Sequence, residues 1–294
     1  MPPIPIWWTY VTCCAADRVR CRQIAPEELE LVARLLEGGF SDREPRYWQG
    51  ALVTLSKHNH PEPFPKFGYV LENNGTLVGV LLTIYTKMPG GPLRCNLSSW
   101  YVDPRFRPFG SLLSSRPLKY EALYLNTSPA PETLAIIVAQ GFRRLTSGIF
   151  LGVGIPGGAT RTEVYPFRDC PLDHVPATER QILTDHDSYG CLCLWCEDDD
   201  DHCPFVFRRR YILARKIPCA HLIYCRDLKD LSRHSRAVSR FLLRQGVLFL
   251  TMNCNGPIQG FTGRFFRNFR PTYCHGDGFR LGDIAYSEFA MFGM

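Results

Sequence analysis

The sequence predicts an α/β protein of two similar units, each a mixed, mostly antiparallel sheet flanked by helices. Three observations predict it. A hairpin pattern at 66–87 runs into the order strand, helix, strand, helix between 97 and 140. The same order of patterns recurs after residue 205. The 294 residues, 45% of them hydrophobic, suffice for two cores of ordinary size.

Residues 1–17 read as an extension. They are apolar, with Trp7 and Trp8, but three prolines stand among the first five residues and no basic stretch precedes the apolar run, which argues against a secretory signal. The segment VRCRQIAPEEL at 19–29 gives a strand and then a helix start, with Pro26 in the first turn and Glu27 and Glu28 near the positive end of the helix dipole. Leu29, Val32, Leu35 and Leu36 recur at helical spacing until Gly38-Gly39 stops the run. A second helix is expected over 46–58, with Trp48, Leu52 and Leu55 on one face. His58 and His60 follow in a loop, without the further ligands a metal site requires. Strands at 66–72 and 76–87 flank Asn73-Asn74-Gly75, residues suited to a tight hairpin turn.

Residues 97–113, LSSWYVDPRFRPFGSLL, change character in their middle. The first half, with Trp100, Tyr101 and Val102, is strand-like; Asp103-Pro104 turns the chain, and a Leu-rich helix follows. Amide groups in such a turn and at a helix start lack intrahelical partners, so with Arg107 they form a seat for an anion such as a pyrophosphate. A strand at 120–126 and a helix at 133–140 come next, then Gly141-Phe142.

This order, with its V-x-P-x-x-R-x-x-G turn, resembles the GNAT superfamily of acyl-CoA acyltransferases over about residues 18–150. The resemblance implies acetyl-CoA or another acyl-CoA as co-substrate and a small amine as acceptor. It implies that Tyr101 and Val102 hold the acyl and pantetheine groups by backbone hydrogen bonds, and that Arg107, Gly110, Ser111, Leu112 and Leu113 receive the pyrophosphate. Asn126 and Ser128 would face the cofactor, and Phe40, Arg43 and Trp48 the acceptor. Glu288 and Asp103 are candidates for the general base, with Ser128 and Tyr124 as further catalytic candidates. The chain departs from the family at Leu112, where a small residue is usual, and no tyrosine lies between Gly141 and Phe150 to protonate the leaving thiolate.

From 152 to 204 glycines, isolated prolines and an acidic run suggest a connecting segment with one helix near 178–185. It contains Cys191, Cys193, Cys196, His202 and Cys203, soft ligands in reach of a zinc site, although the Cys191-Leu-Cys193-Leu alternation also reads as a strand. After it, strands at 205–214 and 220–225, a helix at 228–245 and a strand at 247–253 form a degenerate second copy. That copy lacks the arginine and glycine spacing and opens its helix with Asp227 and Asp230, which repel phosphate. The expected organisation is an extension at 1–17, an acyl-CoA-binding GNAT-like domain at 18–151, a linker at 152–204 and a degenerate GNAT-like domain at 205–294. The tail cluster Asp283, Tyr286, Ser287 and Glu288 would form a hydrogen-bond network or bring a base to the acceptor.

A net charge of +6 without a basic stripe or recognition motif does not suggest nucleic acid, and no run of about 18 apolar residues spans a membrane. The reading is therefore a cytoplasmic transferase with its 13 cysteines reduced and no metal. Two rival readings are a non-catalytic acyl-CoA-binding or protein-interaction protein on the same fold and a zinc-stabilised interaction protein.

Overall fold

The computed structural model describes residues 19–44, 46–155, 157, 160–170, 173, 175–199, 201–212 and 217–293. The extension with Trp7 and Trp8 lies outside the described residues. In chain order the first half runs β1 (Val19–Gln23), α1 (Leu29–Gly39), α2 (Tyr47–Lys57), β2 (Gly68–Asn73), β3 (Thr76–Lys87), β4 (Leu93–Val102), α3 (Gly110–Ser115), β5 (Leu123–Asn126), α4 (Leu134–Ala139), β6 (Arg143–Arg144) and β7 (Gly148–Gly154). The rest runs β8 (Glu163–Pro166), α5 (Ala177–Ser188), β9 (Leu192–Glu197), β10 (His202–Ile212), β11 (Ile217–Cys225), α6 (Leu228–Arg233), α7 (Ser235–Arg244), β12 (Phe249–Cys254), β13 (Phe261–Arg267), β14 (Tyr273–His275) and α8 (Glu288–Phe292). No helix among the described residues is long and apolar enough to cross a membrane.

Two seven-stranded mixed sheets result, in the orders β1-β2-β3-β4-β5-β14-β6 and β13-β7-β12-β11-β10-β9-β8. Each has one parallel pair, β4 with β5 and β11 with β12. The halves exchange strands. β7 lies between β12 and β13, while β14 lies between β5 and β6. The β2–β3 hairpin closes on Asn74 and Gly75, both at positive φ (49° and 82°), the geometry that two-residue turns require.

Three readings need correction. The 152–204 segment is no passive connection: β8, α5 and β9 build one side of the second sheet. Pro166 ends β8 and Pro176 precedes α5, positions where no ladder donor is needed. The expected helix at 228–245 breaks at His234 into α6 and α7. The strand expected from 120 begins only at Leu123, because Pro117–Lys119 form a 3-10 turn that Tyr120 ends.

The largest apolar cluster draws on both halves. Leu36, Trp48 and Leu82 from the first pack with Trp195, Ile223 and Phe289 from the second. A second cluster lies under α6 and α7, and a third, around Tyr85, Leu97 and Leu113, covers the other face of the first sheet.

Candidate active site

β4 and β5 pair over only three residues, Arg94↔Leu123, Cys95↔Tyr124 and Asn96↔Leu125. Beyond Asn96 they part, and two local causes are visible. Ser99 and Trp100 together oppose Leu81 on β3, a bulge with Ser99 in the left-handed region at φ 53°, and a bulge bends its strand. The Asn96 side chain also reaches across, its Nδ2 donating to the Leu125 carbonyl at 3.1 Å. The opening is a cleft of about 290 Å³. Ser98, Ser99 and Trp100 line it from β4, Asn126, Ser128 and Pro129 from the end of β5, and Phe40, Arg43 and Trp48 from the α1–α2 region.

Glu288, the first residue of α8, forms part of the cleft wall although only 1% exposed. The Ser98 hydroxyl donates to its Oε2 at 2.5 Å, while Thr127 and Ser128 donate to Oε1 at 2.8 and 2.5 Å. Its backbone N–H donates to Asn96 Oδ1 at 3.0 Å. A buried carboxylate held by hydroxyl donors at the edge of a cleft has one oriented acceptor face and can receive a proton there.

The tail that delivers Glu288 is fixed by a buried bidentate pair, Arg94 with Asp283, at 2.9 Å for each bond. Burial alone would raise the Asp283 pKa, but the Arg94 charge and its hydrogen bonds hold it below the ordinary carboxylate value. The Tyr286 hydroxyl donates to Asp185 at 2.6 Å and its backbone N–H to His186 Nε2 at 3.1 Å. Of the tail's polar cluster, Asp283 and Tyr286 are therefore a structural network, and Glu288 alone turns to the cleft.

The structure gathers Asn126, Ser128 and Glu288 but not every residue singled out from the sequence. Tyr124 is buried in the third apolar cluster, its hydroxyl within reach of the Pro117 and Tyr120 carbonyls, and it does not line the cleft. Tyr124 is thus a packing residue of the third cluster. Asp103 is also committed elsewhere, accepting from Arg105 N at 3.0 Å and pairing with the Arg105 guanidinium. Tyr101 and Val102 pair with Val80 and Gly79 of β3, and the Tyr101 ring packs 6.2 Å from Phe40.

The turn after β4 is a 3-10 helix, Pro104–Phe109, in which the Gly110 N–H already donates to the Arg107 carbonyl. Arg107, Ser111 and Leu112 are exposed, whereas Leu113 is buried. Gly110 adjoins the cleft through its neighbours: a Cβ there would lie 3.7 Å from Val102 Cγ2 and 4.0 Å from Trp100 Cζ2.

Local patterning did not reveal Asn96, Ser98, Thr127 or Arg270 as parts of this site. The available signal was polarity, since Asn96 and Ser98 interrupt an apolar strand on one face.

Solved structures resemble the chain over most of its length. The GCN5-related N-acetyltransferase of Anabaena variabilis ATCC 29413 superposes with a TM-score of 0.56 at 10% identity, over 87% of this chain and 72% of that one. A putative acetyltransferase from Pyrococcus horikoshii gives 0.55 at 11% identity, over 91% and 93%. A probable N-acyltransferase from Enterococcus faecalis V583 gives 0.53 at 10%, over 90% and 73%. The chain has the GNAT fold, in tandem. No protein-family model matches the sequence, and no curated protein matches it.

The second GNAT unit shows what became of the equivalent cleft. β11 and β12 pair over Cys219↔Phe249, Ala220↔Leu250 and His221↔Thr251, then part as β4 and β5 do. Here the gap is filled by the chain itself. The Cys225 N–H donates to the Gly282 carbonyl and the Ile284 N–H to the Ile223 carbonyl, both at 2.9 Å, and Tyr224 bridges to Asp283. His221, at the register position of Asn96, binds the Thr251 hydroxyl through Nδ1 at 2.9 Å. Asp227 caps α6, accepting from Lys229 N at 2.9 Å.

The cysteines do not converge on one centre. Cys191 and Cys193 face the cluster shared by both halves, while Cys196 and Cys203, cross-strand partners, face the second cluster. Asp201, Cys203 and His234 form the one group of metal-ligating type among the described residues, with ligand atoms within 4.8 Å of one another. Asp201 is already paired there with Arg226 at 3.7 Å and Arg233 at 3.4 Å. Both ring nitrogens of His58 are engaged, Nδ1 with the Tyr189 hydroxyl at 2.9 Å and Nε2 with the Tyr85 carbonyl at 2.8 Å.

Proposed function

We propose that the chain is an acyl-CoA-dependent acyltransferase, an N-acetyltransferase in its simplest form, acting on a small amine at the β4–β5 cleft. The single observation that carries this reading is the open strand edge beyond Asn96 with the buried carboxylate of Glu288 beside it. A thioester's pantetheine arm adds to such an edge by backbone hydrogen bonds, and the N–H donors of β4 stabilise the charge that develops on the acyl oxygen. The amine attacks the thioester carbon and gives a proton to Glu288. As the carbon–sulfur bond breaks, that proton returns to the departing thiolate through the Ser128 hydroxyl, so protons balance over the cycle. With the Gly110 amide bonded to Arg107 O, the exposed Arg107 guanidinium and the start of α3 are left to hold the pyrophosphate.

Glu288→Gln tests this. Calorimetric acetyl-CoA binding should persist while amine-dependent thiol release falls by about 10² to 10⁴. Unchanged turnover would sink the assignment.

A second reading, an acyl-CoA-binding protein without turnover, is favoured by one observation: among the described residues no tyrosine lines the cleft. It predicts acetyl-CoA binding in both proteins with thiol release in neither.

A further inference from the structure

The cleft wall that carries Glu288 is also cationic. Arg43, from the loop after α1, and Arg270, between β13 and β14, line the same cleft as Glu288 and Phe289. Arg210 of β10 stands behind them with its Cζ 5.0 Å over the Phe289 ring. Three distant stretches of chain thus bring three guanidinium groups together. Among the described residues no carboxylate pairs with Arg210 or Arg270, whereas the arginines of other partly buried clusters have acids: Arg22 pairs with Glu28 and Glu72, Arg94 with Asp283, and Arg226 with Glu179.

Glu288 does not neutralise this cluster through any ion pair of its own, since its oxygens accept from Ser98, Thr127 and Ser128. The repulsion is felt in the protein. Burial and the neighbouring charges of Arg270 and Arg43 push the Arg210 pKa down to about 10, and Arg210 and Arg270 add to burial in holding His221 neutral. Arg43 has Asp42 at 4.0 Å, but Arg210 and Arg270, assembled beside a cleft with no carboxylate partner among the described residues, make an anion subsite, because guanidinium forks match the oxygens of carboxylate and phosphate.

We propose that the acceptor amine carries an anionic group, carboxylate or phosphate, seated by Arg270 beside Glu288, with Arg210 behind the wall adding to the positive field. This rests on the acyltransferase reading, and it places the acceptor's charge on the α8 side of the cleft, away from the turn at Arg107. A cleft of about 290 Å³ fits a small molecule. The nucleophilic nitrogen would then lie between the anion subsite and the thioester, within reach of Glu288.

The test is calorimetric. Inorganic phosphate and acetate are titrated separately onto CoA-saturated wild type and Arg270→Gln, with acetyl-CoA titrated onto each of the two proteins alone. Arg270 is exposed, so its substitution leaves the core intact. The expected result is anion binding weakened about tenfold or more by Arg270→Gln, as for loss of one charge-assisted hydrogen bond, with acetyl-CoA affinity unchanged. Stronger binding of one probe identifies the oxyanion. Retained acetyl-CoA binding with no anion binding, or with anion binding indifferent to Arg270, overturns the subsite alone. Loss of acetyl-CoA binding in wild type overturns the acyltransferase reading, and anion binding that still depends on Arg270 would then leave the subsite standing without its acceptor.

Discussion

The two sheets divide at matching places, and only one division stays open. In the first, pairing between β4 and β5 stops at Asn96 and leaves a cleft. In the second, pairing between β11 and β12 stops at His221 and the strand edge is taken by Gly282 and Ile284. The difference teaches that one stretch of chain does both jobs. The residues that close the second unit stand just ahead of Glu288, so closing one site delivers the carboxylate to the other. Degeneracy of the second unit is in this sense a contribution to the first.

The sharpest way to break the comparison is to release the tail. Asp283→Ala leaves Arg94 buried without its partner, which should cost about 3–5 kcal/mol in denaturant unfolding. Turnover should fall as well, because the tail no longer holds Glu288. The same pair predicts a pH dependence. The Asp283 pKa is lowered on folding, so the pair's stabilisation is present above the ordinary carboxylate range and is lost as pH falls through the folded value. The gap between the unfolding curves of wild type and Asp283→Asn should be smaller at pH 3 than at pH 6, and a constant gap would count against the assignment.

A smaller effect is expected at Gly282, which has φ +85° and whose added Cβ would lie 2.6 Å from Cys225 Sγ. Gly282→Ala should destabilise by about 1–3 kcal/mol and lower turnover with acetyl-CoA affinity unchanged. If affinity fell in step with turnover, the second unit would be shaping the cofactor side rather than the base. The smallest effect is expected for Tyr124→Phe, about 1 kcal/mol of stability and less than a twofold change in turnover. A large loss of rate on stopped-flow thiol detection would return Tyr124 to the chemistry.

Much of the local structure was legible in the sequence. The Asn74-Gly75 turn, the change of character after Val102 and the helical spacing of Val32 and Leu36 all follow from short-range preferences, and the structure realises each. The placing of Phe40, Arg43 and Trp48 around the cleft followed from the resemblance. Long-range pairing was not legible. Nothing in GIFLGVG or YCH says which sheet will accept it, because both units offer apolar edges and register is settled by packing across the whole fold. Tyr124 was misplaced for a related reason: it stands where β5 is still paired with β4 and packs in the third cluster, while Asn126, two residues on, lies beyond the last paired residue and reaches the opening.

The strand exchange has a consequence for the order of events during synthesis. A nascent chain that has made β5 holds the first sheet with its β14 position vacant until the second unit has been translated, on the order of ten seconds later at ~5–20 residues per second. The cleft acquires its carboxylate later still. The cleft is therefore complete only after the whole chain has docked on itself, and on the proposed reading an unfinished copy would hold no base with which to react.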